Sequence, residues 1–288
     1  MTNNKKTSVV ITGASGFIGS NLMQKVKLFP QNYFIPVTRK SIPNFVTVKN
    51  YADSPEGDIL LYLSDENRSD LSSDKSQQNL DSNLETFSKL ALKKYKRIIY
   101  ISSSALYGDQ TATLNTNYSP IVLNTPYAYL KYHTELLVLK NPNSFVVRLS
   151  NVYGPGMSKN SVVSTILSQI PGKGDLQIKS KKPIRDFIWV EDVVEALIKL
   201  ANIEINAFTH RIVNISTGVG TSVGELASTA LQIAQQSDRN VIELEEMSEE
   251  SISIMDYSEI KNLINWDPTV NVYNGLSSLI NSKILGQK

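Results

Sequence analysis

Apolar residues follow two alternating rhythms along this chain. Short β-branched or aromatic runs, bounded by glycine, proline or polar clusters, predict buried strands. Longer stretches with apolar residues three and four apart predict amphipathic helices. The segment SVVITGASGFIGSNLMQKVKLF holds both: an apolar run at Val9–Thr12, three glycines, then Phe17, Ile18, Leu22, Val26 and Leu28 at helical spacing. Further strands are predicted over YFIPVTRK, NFVTVKN and GDILLYLS, the last a continuous apolar run as in a buried parallel strand. Residues 65–78, DENRSDLSSDKSQQ, are the most polar stretch and predict a loop leading into a helix over LDSNLETFSKLALKKY. RIIYISSSALYG predicts a strand ending in small hydroxyl residues. PYAYLK opens a helix, and SFVVRLSNVYGPG predicts a strand leaving through Gly154, Pro155 and Gly156.

Strands alternating with helices at this spacing predict βαβ units in an α/β fold, a Rossmann-type doubly wound parallel sheet. The pattern loosens from about residue 152. SVVSTILSQI and EDVVEALIKLAN read as helices, QIKSKKPIRDFIWV as extended chain and RIVNIST as a strand. TSVGELASTALQIAQQ reads as a helix capped by Thr221 or Ser222, with Glu225 in its first turn. The expected organisation is a dinucleotide-binding domain over 1–151 and a smaller interleaved substrate lobe over 152–288, with about 186–216 returning to the sheet. No internal repeat or long linker interrupts it.

Composition narrows the chemistry. An apolar content of 41% over 288 residues supports a sizeable core, and a net charge of +2 gives no argument for nucleic acid or membrane as partner. The chain has no cysteine, which excludes disulfides, thiolate metal sites and cysteine nucleophiles. Its two histidines, His133 and His210, are far apart and leave too few ligands for a His-built zinc site, so no metal is expected. The N-terminal segment lacks a signal peptide's apolar core, and no apolar run approaches the roughly 18 residues of a membrane span. The cytoplasm is the expected location.

Gly13, Gly16 and Gly19 fall at a strand-to-helix junction. Glycines there let the backbone turn tightly and approach a pyrophosphate at the helix N-terminus, so a dinucleotide is expected. The following strand ends VTRKS, with Arg39 and Lys40 where an acid would hold the free ribose hydroxyls of NAD. That favours NADP(H), with NAD(H) as the alternative. Two Tyr-x-x-x-Lys pairs occur, Tyr127/Lys131 and Tyr257/Lys261, each on one helical face if helical. Spacing alone does not separate them.

TGASGFIG, SSSALYG, PYAYLK, NVYGPG and RDFIWVED stand in one order along nearly the whole chain. Together they resemble the extended short-chain dehydrogenase/reductase family, the NAD(P)-dependent nucleotide-sugar epimerases, dehydratases and ketoreductases. The resemblance implies a catalytic set of Ser103 (with Ser104 as rival), Tyr127 and Lys131, and makes Tyr257/Lys261 the decoy. It assigns Gly13, Gly16, Phe17, Ile18 and Gly19 to the pyrophosphate turn, Lys131 also to the nicotinamide ribose, and Asn151 and Arg185 to the substrate diphosphate. A phenol titrating near pH 10 is a poor base at neutral pH, and a lysine cation one turn away favours its ionised form. Tyr127 would then exchange a proton with a sugar oxygen while Ser103 holds that oxygen. The plainer alternatives are a serine capping its own turn at 103 and an Arg185–Asp186 ion pair.

Three departures from the family pattern bear on function. Trp189 stands where histidine is frequent, at a position expected to support structure. EEMSEESISIMD lacks an arginine the family often has there, and the polar loop after LLYLS is short. A nucleotide-sugar substrate is implied, and Arg39 favours NADPH-dependent 4-keto reduction of a nucleotide-linked 6-deoxysugar. An NAD-dependent 4-epimerase is the alternative, and a non-catalytic NADP-sensing protein a remote one. A dehydratase fits less well, because Ser104 and Ala105 replace the Asp-Glu pair of family dehydratases. The resemblance also implies a possible homodimer through the catalytic helix.

Overall fold

Val9, Val10 and Ile11 are at most 1% exposed, so the first strand buries both faces, as a central parallel strand must. The computed structural model describes residues 6–64, 73–109, 114–204, 210–245 and 251–285. Its first half runs β1 (Thr7–Thr12), α1 (Phe17–Lys25), β2 (Asn32–Thr38), β3 (Val46–Thr47), β4 (Ile59–Tyr62), α2 (Ser73–Ala91), β5 (Arg97–Ser103), α3 (Pro126–Val138) and β6 (Phe145–Leu149). The second runs β7 (Asn151–Tyr153), α4 (Val162–Ser168), β8 (Leu176–Ile178), β9 (Ile184–Trp189), α5 (Val190–Asn202), β10 (Ile212–Ile215), β11 (Gly220–Ser222), α6 (Val223–Ile233), β12 (Val241–Glu243), β13 (Ile252–Ser253), α7 (Ser258–Ile264) and α8 (Val272–Leu285). The single strand expected over SFVVRLSNVYGPG divides at Ser150 into β6, in the large sheet, and β7, which pairs with β9. Two further expectations shift at their ends. The strand over NFVTVKN shortens to β3, and α2 begins at Ser73, inside the stretch read as loop. Residues 65–72 of the short polar loop lie outside the described residues.

Seven strands form one sheet in the order β10-β6-β5-β4-β1-β2-β3, with the pairings from β3 through β6 parallel. The chain winds one way from β1 to β3 and the other from β4 to β6, which is the Rossmann arrangement. Its switch point lies between β1 and β4, and ligands of such sheets sit beyond the strand ends there. Phe87 of α2 packs edge-on against Tyr62 of β4 and Tyr100 of β5, with ring centres 5.2 and 5.8 Å away. This buried cluster fixes α2 on the sheet and places the Tyr100 ring below α3.

The chain divides into two compact units. The first comprises Met1–Gly108, Pro120–Leu149 and Val194–Val213, and the second Asp109–Ser119, Ser150–Val193 and Asn214–Lys288. The return to the first unit is therefore shorter than 186–216, and pairing gives the reason. β9 pairs with β7, β11 and β13, so Asp186–Trp189 stays in the second unit. Residues 109–119 belong there too, because the Asn115 amide donates to Ile254 O and its carbonyl accepts from Asp256 N, each at 2.9 Å. The core of the second unit gathers Ile166, Leu176, Leu226, Ala230 and Leu276 around the Tyr153, Phe187 and Trp189 rings. Ser222 caps α6 in a reciprocal capping box with Glu225, which settles the N-cap on Ser222 rather than Thr221.

Candidate active site

β1 leaves into Gly13, whose φ of +69° is left-handed and whose Cβ, if present, would lie 2.7 Å from Leu63 O. Gly19 is tighter still: a Cβ there would stand 2.3 Å from Gly13 O. Gly19 lets α1 press against the turn it follows, and Gly13 lets that turn pass close to the chain leaving β4. The exposed Gly16 begins α1 with no side-chain cap, and no carboxylate sits in the first turn. The amides of Phe17 and Ile18 thus open a helix end that no side chain caps, where the macrodipole favours an anion. A dinucleotide's pyrophosphate fits that end on both shape and charge. At the end of β2, Thr38 Oγ1 shares a 2.7 Å bond with Ser15 Oγ and accepts from Lys40 N, tying β2 to the glycine turn. Arg39 and Lys40 are exposed beside it, and the Arg39 guanidinium lies 5.4 Å from the centre of the Tyr51 ring.

Two of the first unit's catalytic candidates meet on α3, and the third ends the strand to which Lys131 bonds. Thr125 caps α3 by accepting from Ala128 N at 3.1 Å, and Pro126 takes the first helical position, where its missing N–H costs nothing. Tyr127 and Lys131 then share a face one turn apart. Lys131 is 3% exposed, and its Nζ donates to Ile101 O at 2.7 Å. The same Nζ stands 5.1 Å from the Tyr100 ring centre and 5.6 Å from the Tyr127 ring centre. Ile101 is two residues before Ser103, so Lys131 bonds to the strand that ends in the serine. Ser103 Oγ accepts from Ala105 N at 3.1 Å and caps the single helical turn Ser104–Tyr107. The capping alternative is therefore real, yet it uses one lone pair of a group with a donor and two acceptor sites. Ser104 lies inside that turn rather than at the strand end.

Sequence reasoning missed the residues that brace this helix. Arg148 of β6 grips Glu135 of α3 with both ends of its fork, at 3.0 and 2.7 Å, and donates its other nitrogen to Tyr107 OH at 3.1 Å. Both charged side chains are 2% exposed. Burial works against the guanidinium's charge, yet the Glu135 carboxylate more than offsets it and holds Arg148 above its usual range. One hint was available: Glu135 follows Lys131 at the same interval by which Lys131 follows Tyr127.

Asn151 and Arg185 belong to the second unit. Asn151 opens β7 opposite Phe187 of β9, two positions along from Arg185. Arg185 does not pair with its neighbour Asp186. Its guanidinium donates to Ser251 O at 2.7 Å and Ser251 Oγ at 2.6 Å, and lies 3.4 Å from Asp109. The acidic segment that lacks an arginine thus supplies a serine that holds this one. Asp186, fully buried, accepts instead from Thr217 N, Thr217 Oγ1 and Gly218 N. Burial raises its carboxyl above the ordinary range, against the pull of those donors. Trp189 packs edge-on against Tyr153 at 5.3 Å. In the other Tyr-x-x-x-Lys pair, Tyr257 OH and Lys261 Nζ both donate to the exposed Asp267, at 3.1 and 2.7 Å.

Residues 9–216 match the NAD dependent epimerase/dehydratase family. The chain belongs to that family. It is an extended short-chain dehydrogenase/reductase. UDP-glucuronic acid decarboxylase 6 of Arabidopsis thaliana is 26% identical, over 93% of this chain and 86% of its own. CDP-abequose synthase of Salmonella typhimurium is 24% identical, over 96% and 98%. Among solved structures, UDP-glucose 4-epimerase of Thermotoga maritima with UDP-glucose superposes with a TM-score of 0.83 at 22% identity, covering 98% of this chain and 100% of that one. At that identity the superposition establishes the fold. No helix among the described residues is long and apolar enough to cross a membrane.

Proposed function

We propose that this enzyme oxidises or reduces C4 of a nucleotide-linked sugar, with Tyr127 moving the proton, and that its preferred direction is NADPH-dependent reduction of a 4-keto-6-deoxysugar. The observation that carries the proton-transfer assignment is the placement of Lys131 Nζ 5.6 Å from the Tyr127 ring and 2.7 Å from Ile101 O, beside the strand that ends in Ser103. A dinucleotide held at the glycine turn would supply or accept the hydride. Tyr127 donates a proton to the 4-oxygen on reduction and takes one on oxidation. The buried Lys131 cation stabilises the phenolate that donation leaves behind. Ser103 presents a hydroxyl that steadies the same oxygen. The motif match extends to Asn151 and Arg185 as diphosphate contacts.

Arg39 and Lys40 favour the reductive direction, because an exposed cation pair at the end of β2 suits a 2′-phosphate. The second reading, an NAD-dependent 4-epimerase, draws on the family's description as NAD dependent and on the fold neighbour from Thermotoga. A panel of nucleotide 4-ketosugars and nucleotide hexoses, each with NADPH or NADH, separates them. Stoichiometric NADPH consumption with a 4-ketosugar is the expected result. Isomerisation without net reductant use, with NAD released on denaturation, would establish the epimerase instead.

A further inference from the structure

The buried pair of Arg148 and Glu135 takes no part in the proton transfer. Pairs of this kind are expensive to desolvate, and apolar residues of similar volume often do as well for stability. Its placement offers another role. Tyr127, Lys131 and Glu135 recur every fourth residue and line one face of α3. Arg148 lies beside Ser102 in the β5–β6 register, one position before the Ser103–Leu149 pair. Tyr107, its other partner, closes the turn that Ser103 caps. One guanidinium thus bonds to the helix that carries Tyr127 and Lys131 and to the turn that follows Ser103. The fork fixes both the distance and the rotation of α3, which a point charge would not.

We propose that Arg148, with Glu135 and Tyr107, is a positioning device that sets the register of α3 against the Ser103 turn and so holds Lys131 on Ile101 O. The proposal rests on the assignment of Ser103, Tyr127 and Lys131 to catalysis. Replacing Glu135 alone would strand a buried cation and endanger folding, so the double variant Glu135→Leu/Arg148→Met carries the test. It removes both charges at similar volume. Its thermal midpoint is expected within about 5 °C of wild type. Its kcat should fall by about tenfold or more while KM for the nucleotide sugar changes by less than about twofold, because misplacement acts on the chemical step. In its crystal structure the contact between Lys131 Nζ and Ile101 O should be lost. A retained contact, or a wild-type kcat, overturns the proposal and leaves the pair a packing feature. Should the double variant not fold, Arg148→Lys keeps the charge and gives up the fork, and the same readouts apply. A wild-type enzyme inactive on every nucleotide sugar would refute the proposed reaction, while the Lys131 contact in the variant crystal would still decide on the device.

Discussion

The ammonium of Lys131 lies 5.6 Å from the centre of the Tyr127 ring and donates at 2.7 Å to the carbonyl of Ile101. The first distance comes from helix geometry, since residues four apart share a face. The second comes from tertiary packing, since α3 lies on β5. Together they put a buried cation beside the one Tyr-x-x-x-Lys tyrosine that a serine-ended strand accompanies. At Tyr257 and Lys261 the same spacing puts the lysine on an exposed carboxylate instead.

Ser103→Ala should lower kcat by about 10²-fold, the scale of losing one preorganised hydrogen-bond donor. It should also destabilise the fold by about 1 kcal/mol, because the bond to Ala105 N goes with it. Ser103→Thr keeps a hydroxyl and should recover most of both. Steady-state kinetics with thermal unfolding of the two variants checks this.

Gly19→Ala should impair both folding and dinucleotide binding. The new Cβ would stand 2.3 Å from Gly13 O and 2.7 Å from Ala14 Cα, both backbone atoms, so the glycine turn has to move. Overpacking of this kind costs about 1–3 kcal/mol. Calorimetry with NADP or NAD should show lost or much weakened binding in protein that still folds.

Cofactor preference tests the end of β2. Arg39→Asp places a carboxylate where NAD-binding sheets hold the ribose hydroxyls and NADP would bring a phosphate. The ratio of kcat/KM for NADPH over NADH should fall by about tenfold or more, with NADH turnover kept or improved. An unchanged ratio would remove Arg39 from cofactor selection.

Acid sensitivity should trace in part to Asp58. Lys96 and the Ser8 hydroxyl and amide hold its carboxyl well below the usual carboxylate range. A depressed pKa contributes stability that is complete above the unfolded value, about 3.9, and disappears as pH falls through the folded one. Asp58→Asn should therefore be less stable than wild type at pH 7, and the gap should narrow on acidification below about pH 4. Urea unfolding of both proteins across that range measures it.

Much of the first unit was legible in the sequence because its signals are local. The Val9–Thr12 run, the glycine turn and the Pro126 start of α3 each declare themselves within a dozen residues. The misreadings have physical causes. α2 begins at Ser73 with no apolar period before Leu80 to announce it. β9 stays with the second unit because its three partners are distant or short strands, and pairing choice is not written into one strand. An Arg185–Asp186 pair was never favoured by geometry, since successive strand residues point to opposite faces. Arg185 instead finds Ser251, 66 residues away. In the site, residue type and order offer Tyr127, Lys131 and Ser103 as candidates. Arg148 and Tyr107 stayed hidden because an apolar strand and a YG turn give no sign of a shared guanidinium.

The central claim, that Tyr127 exchanges the proton, is met most directly by Tyr127→Phe. With a nucleotide sugar that wild type turns over, the variant should lose about 10²-fold or more in kcat while its dinucleotide affinity stays within about threefold. A Tyr127→Phe enzyme that turned over at the wild-type rate would contradict the account.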